Sequence, residues 1–356
     1  MILHSARSLR AWALLLLLGQ SSFSLAQDIA PPKPVSAYDS LGTIERLDPR
    51  FDALVPKDAR VEKLAMGFDW SEGPVWMPNL DGGTLLFSDV PLNTVYQWKP
   101  GTFGAKPWLR PSGYTGTSPR TGEPGSNGLA RSAKGDLVLM QHGDRRVARL
   151  NRQNGKDEFV TLADRYDGKR FNSPNDGVFD SAGNFYFTDP PYGLLKGVED
   201  PARELNFQGV YRISKDGKLS LLTKEMSRPN GIALSPDEKT LYVANSDPAK
   251  AIWMAFPLNA DGTLGAGRVF ADVTKWVDQP GKKGLPDGLK VDAKGNLFAT
   301  GPGGVLVFAA DGTHLGTFAT GEATANCGWG DDGSTLYITA DMFIGRVKLT
   351  TKGTGF

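Results

Sequence analysis

The chain of 356 residues has one cysteine and three histidines. A lone thiol, Cys327, excludes an internal disulfide, so a chain of this size must be held by its core. Cys is among the most buried residue types, and Cys327, lying between Asn326 and Trp329, is expected inside. Neither sign of charge dominates, with 40 basic against 39 acidic side chains. No basic excess points to nucleic acid or to an anionic membrane as a partner. There is no G-x-S-x-G elbow, no P-loop and no dinucleotide fingerprint, which removes the common nucleophile and nucleotide sites. The eight tryptophans have no regular spacing, which argues against a quinone-stacking dehydrogenase.

Long apolar runs are missing too, apart from residues 11–19 (AWALLLLLG). That run follows Arg7 and Arg10 and precedes Ser24-Leu25-Ala26, with small residues at the cleavage-determining positions. It is too short for a helix crossing a hydrocarbon core of ~30 Å. Residues 1–26 therefore read as a secretory signal peptide. Export to the periplasm or medium is expected, with no membrane attachment after cleavage. Removing them leaves 38 basic and 39 acidic side chains. Residues 27–60 hold Pro31, Pro32 and Pro34 and read as an extended leader or linker.

What is present is a repeat. Residues 172–193 (NSPNDGVFDSAGNFYFTDPPYG) hold two short strand patterns around a Gly-containing turn, the mark of an antiparallel hairpin. Six such units begin at Glu72, Asn127, Asn175, Asn230, Asp287 and Asn326. In each, a second strand ends 14 to 17 residues later. A third run follows, such as Thr94–Trp98, Gly209–Ile213 or Gly304–Phe308, and often a fourth. Four strands per unit, with anchors 39 to 57 residues apart, predict an all-β, six-bladed β-propeller over residues 61–356. The last unit lacks a fourth run. Residues 61–65 are expected to supply it and close the ring.

In a propeller the first strand of each blade lines the central channel. All six anchors then face one mouth. The ends of the second strands should rim it: Asp89, His142, residues 189–192, 245–247, 301–303 and 341–343. His314 falls in a turn at the opposite end and is expected on the surface. One Asn-Gly is an ordinary turn signal; six anchors in register, two of them carboxylates and four amides, ask for more. Hard oxygen donors suit Ca²⁺, Mg²⁺ or Mn²⁺ better than softer ions. Two carboxylates would balance a divalent charge where an unpaired one is costly. His142 can bind substrate or shuttle a proton, or be a hydrogen-bonded rim residue.

At these residues the chain resembles the senescence marker protein (regucalcin), gluconolactonase and luciferin-regenerating-enzyme-like family. The motifs are Glu72-Gly73-Pro74-Val75-Trp76, Ser173-Pro174-Asn175-Asp176-Gly177, Pro229-Asn230-Gly231 and Pro286-Asp287-Gly288. Asn127-Gly128-Leu129, Gln141-His142-Gly143-Asp144 and Asp189-Pro190-Pro191-Tyr192-Gly193 resemble its exported bacterial gluconolactonase branch. The resemblance implies a metal-dependent lactonase that converts a sugar lactone to its aldonic acid. Metal ligands would fall on Glu72, Asn230 and Asp287, with Asn175 a fourth ligand or a substrate contact. One divalent cation is implied, Ca²⁺ first, with Mg²⁺, Mn²⁺ or Zn²⁺ as alternatives. Asp287 matches the family's candidate base. Asn127, His142, Asn175 and Tyr192 would hold the substrate. Ser173 and Tyr192 stand where animal members have an arginine and a glutamate. Two rivals share the cup: a phosphotriester hydrolase and a non-catalytic, Ca²⁺-stabilised binding propeller.

Overall fold

The computed structural model of the chain describes residues 33–34, 37–78, 83–153 and 155–355. The expected signal peptide lies outside the described residues. The fold is a six-bladed β-propeller. Its inner strands are Ser71–Met77, Ser126–Arg131, Gly177–Phe179, Pro229–Leu234, Leu289–Val291 and Thr324–Gly330. Each adjoins the next, and the last returns to the first.

The second strand of every blade is buried on both faces. Leu85, Leu86 and Phe87 are all fully covered, as are Phe185, Tyr186 and Phe187. Blades pack face to face, so these strands are continuous apolar runs rather than alternating ones. The core therefore lies between blades. Trp76 of blade one stacks on Tyr337 of blade six, with centroids 5.5 Å apart, and Trp98 packs against the same ring. Burying one such side chain is worth about 1.5–3 kcal/mol.

The ring closes through Glu62–Met66, which pairs antiparallel with Phe343–Lys348 as the outer strand of blade six. The Arg346 Nε–Glu62 Oε2 ion pair, 2.8 Å long and mostly covered, lies across this seam. Residues 37–60, expected as leader, are instead built into the body. Thr43–Arg46 pairs with His314–Ala319 as a fifth strand on blade five. The 3-10 turn Pro49–Ala53 buries Phe51, and Leu54 and Val55 join it in the core between blades five and six. Three prolines upstream hid a segment whose apolar residues are too few to show a period. His314 is likewise not a surface residue. It is half-buried, its ring near Trp276 and Phe308 and its Nε2 3.0 Å from the Gly316 carbonyl. Burial lowers its basicity.

The Asn-Gly and Asp-Gly pairs at the anchors are not turns. They lie in or directly before inner strands. A Cβ on Gly231 would meet the Asp287 carbonyl oxygen at 2.2 Å, and one on Gly73 would meet the Asn127 carbonyl oxygen at 2.4 Å. Inner strands of adjacent blades approach too closely for any side chain there. The Gly128 N–H donates to the Asn175 carbonyl across one such gap, 2.7 Å away. Glycine at 73, 128 and 231 thus sets how closely neighbouring inner strands approach.

Candidate active site

The anchors meet at one mouth, around a cavity of about 240 Å³. Glu72, Asn127, Asn175, Asn230 and Asp287 line it, with Tyr192 and Ser246 from the ends of second strands. Five residues singled out from the repeat, and Tyr192, are therefore together. His142 lies just behind, fully buried, with Nε2 3.5 Å from Asn175 Nδ2.

The sixth anchor does something else. Asn326 accepts from the Cys327 N–H at 2.9 Å through Oδ1, and its Nδ2 lies 3.2 Å from Glu72 Oε2 and 3.4 Å from Asp176 Oδ2. Its oxygen is used, so it holds a carboxylate and offers the cavity nothing. Cys327 is buried as expected, its Sγ 3.4 Å from the Phe298 carbonyl, and burial pushes the thiol up to about 12.

Several expected rim residues point away from the mouth. Asp189 accepts from the N–H groups of Asn172 (2.8 Å) and Ser173 (2.7 Å). Asp89 accepts from Asp69 and Trp70, and Asn245 from Arg228. Trp70, Ser173 and Arg228 each stand two residues before an anchor. In blades one, three and four, the end of the second strand thus braces the segment that delivers the anchor.

The electrostatics need a counter-charge. Burial, then the Asp176 charge, pushes the Glu72 carboxyl up to about 8, against hydrogen bonds from the Gly73 N–H and Asn326. Burial and then the Glu72 and Asp176 charges raise Asp287 well above the usual carboxylate range. Burial also raises Asp176. The oxygens of Asn127, Asn175 and Asn230 and one oxygen of Asp287 are buried without any hydrogen-bond partner. Four unpaired acceptors facing one cavity would each cost about 1–3 kcal/mol if left so. A hard divalent cation satisfies acceptors and carboxylates together, so the residues fit one. Among the described residues no three His, Cys, Asp or Glu side chains are set to hold a metal. The cup depends on amide oxygens, which ranks Zn²⁺ last.

Glu123 was not anticipated. It lines the cavity from the segment before blade two, its Oε2 3.2 Å from His142 Nδ1. That segment carries no repeat signal that could have marked it. Trp70 and Ser246 also line the cavity; Ser246 falls within the expected rim, whereas Trp70 precedes the anchor.

The model of the SMP-30/gluconolactonase/LRE-like region matches residues 70–341, a span running from blade one into blade six. The chain belongs to this family. It is 41% identical over 318 residues to a gluconolactonase of Zymomonas mobilis, covering 88% of each chain. A solved gluconolactonase from Xanthomonas campestris superposes with a TM-score of 0.73 at 32% identity, over 90% of this chain and 98% of that one. The calcium-binding regucalcin of Agrobacterium tumefaciens shares the fold, at 20% identity and a TM-score of 0.60 over 82% and 96%.

Proposed function

We propose that the chain hydrolyses a sugar lactone to its aldonic acid with the help of one divalent cation, Ca²⁺ first, and acts after export. The observation that carries this reading is the set of unpaired oxygens on Asn127, Asn175, Asn230 and Asp287, facing one cavity beside Glu72. The lactonase class follows the named relatives.

Glu72, Asn175, Asn230 and Asp287 would hold the cation. When bound, it supplies Lewis-acid polarisation of the lactone carbonyl and stabilises the charge that develops on that oxygen. Asp287, ionised beside it, accepts the proton of the attacking water and returns it to the ring oxygen as the lactone C–O bond breaks, which leaves the open acid and the regenerated base. Tyr192 and Ser246, with Asn127, orient the sugar hydroxyls at the wall. His142 accepts from Asn175 Nδ2 and turns the Asn175 oxygen into the cup. For that its Nε2 must be unprotonated, which leaves the proton on Nδ1, facing Glu123. Asn326 keeps Glu72 aimed.

The test is gluconolactone ring opening, followed with a pH indicator, with and without chelator, beside a fluorophosphate substrate. Lactone turnover lost in chelator and restored by Ca²⁺ is expected. Turnover of the fluorophosphate alone would make the cup a phosphotriesterase, and turnover of neither would make it a binding module. Asp287→Ala should lose both cation binding and turnover; full lactone activity in that variant overturns the assignment of the base.

A further inference from the structure

We propose that the chain has a second ligand site, for an oxyanion, on the loops beside blades two and three and separate from the central cup. A cavity of about 280 Å³ there is lined by Tyr114, Arg120, Arg145, Arg170, Leu195 and Asp200 among others. The three arginines come from three different segments. Backbone carbonyls aim them. Arg120 donates to Gly143 O (2.6 Å) and Gly193 O (2.7 Å), Arg145 to Phe171 O and Ala202 O (both 2.7 Å), and Arg170 to Asp144 O (2.9 Å).

Among the described residues none of the three makes an ion pair with a carboxylate. Arg145 is 3% exposed, and its Nη2 has no hydrogen-bond partner. A buried guanidinium with an empty donor is costly unless something fills it. Burial first, then the charge of Arg170, lowers the basicity of Arg145 against the Glu204 and Asp189 carboxylates; burial lowers that of Arg120 against Tyr114 and Asp144, with Arg170 adding to burial. The three like charges are therefore close enough to repel. Asp200 is the one carboxylate lining the cavity, and its oxygens accept from the N–H groups of Lys196 and Ala202. Asp144, Glu204 and Asp189 act from behind the lining, so the cavity wall itself carries three cations against one carboxylate, and that carboxylate pairs with none of them.

Guanidinium forks fixed by carbonyls, with one donor spare and excess positive charge, match the oxygens of a phosphate or carboxylate group. The Tyr114 ring lies 5.3 Å from the Arg120 carbon, and Leu195 is 63% exposed at the edge. They give the organic part of such a ligand an apolar wall. Phosphate monoesters and organic acids share this chemistry, and the cavity admits either. The site does not depend on what the central cup hydrolyses.

The test is calorimetric titration of the full mature protein with inorganic phosphate and, separately, with sodium succinate, which is not a product of the central cup, at constant ionic strength against chloride. Saturable one-to-one binding of either is expected. Arg170→Gln should weaken it about tenfold or more, and Arg170→Lys less. Arg170 touches no cup residue, so unchanged lactone turnover in both variants shows that they are folded. Binding of phosphate alone assigns a phosphate ester, and of succinate alone a carboxylate. No saturable binding, or binding that Arg170→Gln leaves unchanged, overturns the site.

Discussion

Asp189 shows how much a single side chain can carry away from the chemistry. It is fully buried, and burial pushes its carboxyl up to about 7 against the N–H groups of Asn172 and Ser173. The folded protein then holds this proton more tightly than the unfolded chain, whose aspartates titrate near 3.9. Its contribution to stability is complete below pH ~4 and is lost as pH rises through about 7. Each tenfold difference in proton affinity is worth about 1.4 kcal/mol. Unfolding free energies by urea titration should therefore fall between pH 5 and pH 8. Asp189→Asn should flatten that decline. It should also cost about 1–3 kcal/mol, because an amide nitrogen must face one of two N–H donors. An unchanged slope in the variant would show that another group titrates.

At the scale of elements, the spacing between inner strands decides whether the cup exists. Gly231→Ala places a Cβ 2.2 Å from the Asp287 carbonyl oxygen, and backbone cannot swing aside as a side chain does. Blades four and five must separate, at a cost of about 1–3 kcal/mol or more. Asp287 moves with its strand, so calcium affinity should fall together with the urea midpoint. A distant destabilising change should lower only the midpoint. Phe51→Ala is that control. Phe51 is fully buried between blades five and six, and its loss should cost about 3–5 kcal/mol with the cup's calcium affinity kept.

These two positions also show what the sequence could and could not reveal. The anchors were legible because six polar residues, each with a glycine one or two places on, stood 14 to 17 residues before the end of a second strand. Their glycines looked like turns, since a close approach between strands far apart in sequence leaves no local sign. Second strands were legible because burial on both faces makes continuous apolar runs. Thr43–Arg46 and Lys106–Leu109 were not: outer strands are half-exposed and short, and the second contains Pro107. Glu123 was hidden because its side chain reaches the cavity from an insertion outside the repeat.

At the scale of the whole molecule, the cup is a joint property of the ring. Glu72 comes from blade one, Asn175 leads into blade three, Asn230 is in blade four, and Asp287 leads into blade five. An unfolded or opened chain cannot bring them together, so a cation should bind the closed ring alone. Such a ligand stabilises the fold by about 2.7 kcal/mol at a hundredfold excess over its dissociation constant. The melting temperature should therefore rise by several degrees from chelator to saturating Ca²⁺. Asp287→Asn separates this linkage from simple packing. It removes a buried carboxyl whose proton affinity is raised by burial and then by the Glu72 and Asp176 charges. The metal-free variant should then melt at or above the metal-free wild type, and Ca²⁺ should no longer shift it. Stability would rise where function is lost, as expected of a cup kept strained for its ligand. A calcium-dependent shift of equal size in the variant would place the ion elsewhere in the ring. A lower melting temperature in the metal-free variant would mean that Asp287 supports the fold without the ion.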